Sequence, residues 1–105
     1  MVISFDDKEI RTICEDSDVA HVKLGSSVAI SLQTRLSELI VADTVKDLPA
    51  GDPGELNDLC YKIELSEGNR LVFCSNHVKP PTIDGKINWA QVTRIKILKI
   101  ERYND

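Results

Sequence analysis

The stretch Gly68-Asn69-Arg70-Leu71-Val72-Phe73 joins a turn signal to one cation and a run in which apolar side chains alternate about it. Just upstream, Tyr61-Lys62-Ile63-Glu64-Leu65 alternates apolar and charged residues with a period of two, and Ser66 to Asn69 is a connection of hairpin length containing Gly and Asn. Two antiparallel strands follow. With Tyr61, Ile63, Leu65, Leu71 and Phe73 facing a core, Lys62, Glu64, Arg70, Val72 and Cys74 share the opposite face. Arg70 is then held beside a turn on a rigid sheet, a position suited to binding an anion. The alternative is an ion pair across the hairpin with Glu64 or Glu67.

Working outward, 105 residues suffice for one domain with a two-layer core. The composition, 42% hydrophobic and 29% charged with no run of 18 apolar residues, is that of a globular chain and excludes a membrane-spanning helix. The start, Met1-Val2-Ile3-Ser4-Phe5 followed by Asp6-Asp7, lacks the basic and apolar segments of a signal peptide, so a cytoplasmic location is expected. Cys14, Cys60 and Cys74 form no C-x-x-C pair, and His21 and His77 stand apart. Neither a disulfide framework nor a metal or other cofactor is expected.

The net charge of -4 is unevenly distributed. Residues 1–60 carry twelve acids and five bases, whereas residues 61–105 carry five acids and eight bases. A basic C-terminal half on an acidic body points to an anionic partner if the fold gathers those bases on one face.

Along the chain, Val2 to Phe5 reads as a first strand, and Asp6 or Asp7 as the cap of a helix over Lys8 to Leu24, with a break possible at Ser17. Gly25 ends that segment. Val28, Ala29, Leu32, Leu36, Leu39 and Ile40 then mark a second helix, capped by Ser26 or Ser27 and packed on the first as a hairpin. Residues 43–48 give one more helical turn, and Pro49 to Gly54 a loop. A second loop from Asn76 to Asn88 is closed by Trp89, read as an anchor that pins it to the core. Thr93 to Tyr103 is a basic strand whose alternation slips at Ile97-Leu98, the mark of a β-bulge or of a strand covered on both faces. The expected fold is α+β: a two-helix hairpin on one face of a mainly antiparallel sheet of about four strands, leaving the other face free to bind.

Phosphate-loop, Ser-His-Asp and paired-His motifs are absent. The remaining chemistry is cationic and phenolic. Pairing of the hairpin with the last strand would bring Lys62, Arg70, Arg94, Lys96, Lys99, Arg102 and Tyr103 to one sheet face. Metal-free RNA cleavage needs a group to take the 2′-hydroxyl proton, a cation on the phosphorane oxygens and an acid for the leaving 5′-oxygen. Arg70 is the candidate cation. Tyr103 is a candidate acid or base provided that cations lower its pKa, or else an aromatic packed at the domain edge. His77 is the one imidazole that a folded-back second loop would deliver to the sheet.

The order of elements resembles that of the HigB-like plasmid-maintenance killer proteins of the RelE/ParE toxin superfamily. So do Glu55-Leu56 before Tyr61-Lys62-Ile63-Glu64-Leu65, the Asn69-Arg70-Leu71-Val72-Phe73 run and the ending Ile95-Lys96-Ile97-Leu98-Lys99-Ile100-Glu101-Arg102-Tyr103. The resemblance covers nearly the whole chain, including Ile13-Cys14-Glu15 and Leu24-Gly25 before Ser27-Val28-Ala29. It implies the toxin of a type II toxin–antitoxin system, a ribosome-dependent messenger-RNA endonuclease neutralised by a helix-turn-helix antitoxin. Arg70 and Tyr103 would be catalytic, and Lys62, Arg94, Lys96, Arg102 and Asn104 would bind RNA. Three features depart from the family pattern: Asn104 replaces a C-terminal His and Arg102 an acid, Asn57-Asp58-Leu59-Cys60 replaces a basic loop, and the net charge is acidic where that of such toxins is usually basic. The lost His and the lost basic loop favour the alternative of a RelE-fold protein without nuclease activity that acts by binding a protein, a gyrase-type target or its antitoxin alone. A third reading makes Lys96 and Lys99 solvated edge charges that discourage aggregation.

Overall fold

The structure is a computed structural model and describes residues 1–103. Strand β1 (Val2–Phe5) leads into three helices, α1 (Lys8–Glu15), α2 (Ser17–Leu24) and α3 (Ser26–Val41). A 3₁₀ turn (Val45–Asp47) and a short β2 (Gly54–Glu55) precede the hairpin of β3 (Cys60–Glu64) and β4 (Asn69–Ser75). A ribbon of β5 (Thr82–Ile83) and β6 (Lys86–Ile87), a second 3₁₀ turn (Trp89–Gln91) and β7 (Arg94–Arg102) complete the order.

The expected first helix is two. The Asp7 carboxylate accepts the Ile10 amide at 2.9 Å and starts α1, whereas Asp16 is extended, with φ of -112° and ψ of 107°. Its backbone amide closes α1 on the Thr12 carbonyl, and its carboxylate accepts from Asp18 and Val19 to open α2. A short acidic side chain that competes for backbone amides explains the break. Gly25, with φ of +84°, ends α2 and also opens α3, so neither Ser26 nor Ser27 is the cap. Val28, Ala29, Leu32, Leu36 and Leu39 are buried as the spacing requires, but Ile40 is exposed.

The sheet has five strands in the order β1-β7-β4-β3-β2, with β1 parallel to β7 and the remaining pairs antiparallel. The fold is thus α+β, with one helix and one strand more than expected and a separate two-stranded ribbon inside the second loop. One face of the sheet presents Tyr61, Ile63, Leu71, Phe73, Ile95 and Ile97 to Val28, Leu32, Leu36 and Leu39 of α3. Each fully buried side chain of this kind contributes about 2 kcal/mol of transfer free energy. Trp89 lies 4.8 Å, centroid to centroid, from Tyr61 and meets Phe73 edge-on, so it anchors the second loop as expected.

Two features position the open face. The Ser66 amide donates to Ser31 Oγ at 3.1 Å and Ser66 Oγ lies 2.9 Å from Ser27 Oγ, which ties the hairpin turn before Arg70 to α3. In β7, Val72 pairs with Lys99 but Phe73 pairs with Ile97, leaving Leu98 as the bulged residue. The bulge resets the alternation. Lys96, Lys99 and Glu101 therefore share the open face although their spacing is not regular.

Candidate functional site

On the open face, Glu64, Arg70 and Glu101 stand in register across β3, β4 and β7. Arg70 makes its ion pair with neither hairpin acid. Its Nη2 donates to Glu101 Oε2 at 3.1 Å, and Lys99 Nζ lies 3.1 Å from the other oxygen of Glu101. The Tyr103 hydroxyl donates to Glu64 Oε2, and the Tyr103 ring lies under the guanidinium with 4.5 Å between its centroid and Arg70 Cζ. Lys62 Nζ reaches Glu64 Oε1 at 2.8 Å and the Asp52 carbonyl at 2.7 Å. A backbone bond from the Tyr103 amide to the Gly68 carbonyl, 3.0 Å, holds Tyr103 over the turn.

The electrostatics follow from this ladder. Burial raises the Glu64 carboxyl, but hydrogen bonds from Lys62 and Tyr103 outweigh it and hold the group below its ordinary value. Glu101 is held low by the hydrogen bond from Lys99, against some burial, and by that from Arg70. Burial lowers Lys62, yet Glu64 and Asp52 bring it above the ordinary range. Tyr103 is raised because its hydroxyl donates to Glu64, which reverses the expectation that cations lower it. Arg70 Nε is buried and has no hydrogen-bond partner.

The site therefore unites Lys62, Arg70, Lys99 and Tyr103 from the expected set. It does not unite the others. Lys96 shares the face but bonds loosely to Asp6 at 3.8 Å, five residues and roughly 16 Å along β7 from Glu101. Arg94 is seven residues from Glu101, roughly 23 Å away, at the other end of the strand. Arg102 pairs in register with Asn69 and falls on the Leu71 and Ile100 side of the pleat, because the bulge shifts parity by one. Asn104 lies outside the described residues. His77 accepts the Thr93 amide on Nε2 at 3.0 Å and pins the second loop at the Arg94 end.

Sequence reasoning missed Glu101 and assigned Glu64 only an ion-pair role. The signal for Glu101 was present, since the slip at Ile97-Leu98 carries it to the face of Arg70. Among the described residues no three His, Cys, Asp or Glu side chains cluster as a metal would require. A groove of about 420 Å³ runs between β1, α1 and α3, lined by Ile3, Phe5, Cys14, Leu36 and Ile40, and holds none of these charged groups. The cluster lies instead on the sheet face away from the helices, where its Lys62, Glu64, Arg70 and Glu101 side chains are 16–25% exposed.

Comparison with family models, curated proteins and solved structures finds no match to this chain. Among the described residues, no helix is long and apolar enough to cross a membrane.

Proposed function

We propose that the open-face cluster cleaves RNA without a metal, and that the chain is a RelE/ParE-type toxin acting on ribosome-bound messenger RNA. The observation that carries this reading is the convergence of Glu64, Lys62, Arg70 and Tyr103 within direct hydrogen-bonding or stacking contact. Glu64 is ionised at neutral pH and takes the proton of the attacking 2′-hydroxyl. Arg70 and Lys62 stabilise the phosphorane oxygens. Tyr103, kept protonated by Glu64, gives its proton to the leaving 5′-oxygen, and the protonated Glu64 returns one to the phenolate. The products are a 2′,3′-cyclic phosphate and a 5′-hydroxyl. Helices on one face of a largely antiparallel sheet, with the other face open, also support the resemblance. A helix-turn-helix antitoxin and a cytoplasmic location belong to the same proposal.

A second reading rests on a specific observation: Lys62 and Arg70 already hold carboxylates. A ladder neutralised from within suits a non-nuclease toxin fold that binds a protein such as gyrase, or its antitoxin alone. Regulated expression in a bacterial host, with growth followed beside primer extension on an abundant messenger, separates the two. Arrest with new cuts inside translated codons supports cleavage. Arrest with intact messenger moves the reading to a protein target, and unchanged growth with intact messenger overturns the toxin reading.

A further inference from the structure

Cys60 and Cys74 are 14 positions apart in sequence but are direct partners across the β3–β4 ladder. Both are free thiols, both are partly exposed, and both belong to the open face that carries Lys62 and Arg70. Their position in the ladder decides how close they come. The Leu65 amide donates to the Asn69 carbonyl at 2.8 Å, which makes that pair hydrogen-bonded. Counting down the alternation, Glu64 with Arg70, Lys62 with Val72 and Cys60 with Cys74 are all non-hydrogen-bonded pairs. The backbone of Cys60 agrees. Its amide donates to Asn57 Oδ1 at 2.9 Å and its carbonyl accepts from the Leu56 amide at 2.9 Å, so both point away from β4. At such positions the Cα atoms lie about 4.5 Å apart, within the range that a disulfide spans.

We infer that Cys60 and Cys74 form a thiol–disulfide exchange site for small disulfides such as oxidised glutathione, closing to a cross-strand bond. A thiolate of the pair attacks one sulfur of glutathione disulfide, forming a mixed disulfide and expelling one glutathione thiolate. The second protein thiolate attacks the protein sulfur of that mixed disulfide and expels the other glutathione thiolate. The protein gives up two protons and two electrons, and one glutathione disulfide becomes two glutathiones. Lys96, the partner of Cys74 on β7, places its charge beside the second thiol and opposes the burial that otherwise disfavours its ionisation. Cys14 is buried on the inward side of α1, across the sheet from this pair, and takes no part.

The bond would close a loop of residues 60–74 that includes the turn before Arg70. A loop of this length restricts the unfolded chain enough to raise the melting temperature by about 10 °C. The inference stands on the ladder geometry and is independent of the proposed RNA chemistry.

The test is mass spectrometry and thermal melting of the whole chain after equilibration with glutathione buffers that run from strongly reducing to oxidising. The parent is expected to lose about 2 Da with no lasting adduct. Peptide mapping should link residue 60 to residue 74, and dithiothreitol should reverse the upward melting shift. Cys14→Ser should behave as the parent, whereas Cys60→Ser should retain one glutathione on Cys74. Accumulation of glutathione adducts on the parent without the mass loss would overturn the inference. So would a link involving Cys14, a parent inert across the range, or a linked form that melts no higher than the reduced one.

Discussion

Arg70 lies over the ring of Tyr103, 4.5 Å from its centroid, while its Nη2 is held by Glu101. A residue on β4 is thereby fixed by one beyond β7, and the stacked pair carries the charge proposed to meet RNA phosphate. Arg70→Ala should reduce messenger cleavage by about 10²-fold or more, the usual loss when one positioned donor to a developing oxyanion is removed. Its effect on stability should be small, about 1 kcal/mol, because the ion pair is partly exposed and Glu101 keeps Lys99. Urea unfolding beside primer extension checks both. Retained cleavage with normal stability would remove Arg70 from the site.

Tyr103→Phe keeps the ring beneath Arg70 and removes only the hydroxyl bonded to Glu64. Glu64 then loses one of the two hydrogen bonds that lower its pKa and should titrate at higher pH than in the parent, as carboxyl carbon NMR would report. Cleavage should fall by about 10²-fold for loss of a general acid. An unchanged Glu64 titration would mean that Tyr103 does not donate to it in solution.

The ladder also sets a pH window. Glu64 and Glu101 are lowered in the folded chain relative to an ordinary value of 4.5, so their contribution is fully present above that pH. It declines as pH falls through their folded values. Tyr103 and Lys62 are raised above 10.0 and 10.5, so their contributions are present below those values and fade as pH rises through the folded ones. Urea titrations at stepped pH should show a stability plateau with an acid limb starting near pH 4.5. That limb should be shallower in Glu101→Gln.

How much of this was legible differs by residue. Alternation through Tyr61–Leu65 and Leu71–Phe73 fixes which face Arg70 occupies, since a half-buried strand cannot slip by one without turning its core outward. The same register sets Cys60 opposite Cys74, a pairing not drawn from the alternation above. The partner of Arg70 was not legible. Glu64 and Glu101 are both its neighbours, and the choice is made by Tyr103, which occupies Glu64 from 39 residues away. Arg94 and Arg102 lie apart from the Arg70 cluster for two different reasons, strand length and the parity change at Leu98. The parallel pairing of β1 with β7 joins the ends of the described chain and has no local signature. Asp16 breaks the helical stripe because side-chain capping competes with periodicity, which an apolar count alone does not register.

The clearest backbone test is Gly51. Its φ is +89°, and a Cβ built there would overlap Ile63 Cγ2 and press on Arg35 Cδ at 3.1 Å. Ile63 is a core residue of β3 and has no room to retreat. Left-handed strain and overpacking act together, so Gly51→Ala should cost about 3 kcal/mol. Gly85 isolates the conformational part. It also has a positive φ, +79°, but faces open space in the β5–β6 turn, and Gly85→Ala should cost only about 1 kcal/mol. The difference between the two, read from urea midpoints, measures the clash with Ile63. Because the Gly51 carbonyl accepts the Glu64 amide at 2.6 Å, the Gly51 variant should also disturb Glu64 and lower cleavage, whereas the Gly85 variant should leave cleavage unchanged. Equal destabilisation by the two substitutions would mean that the loop before β2 does not pack on Ile63 in solution.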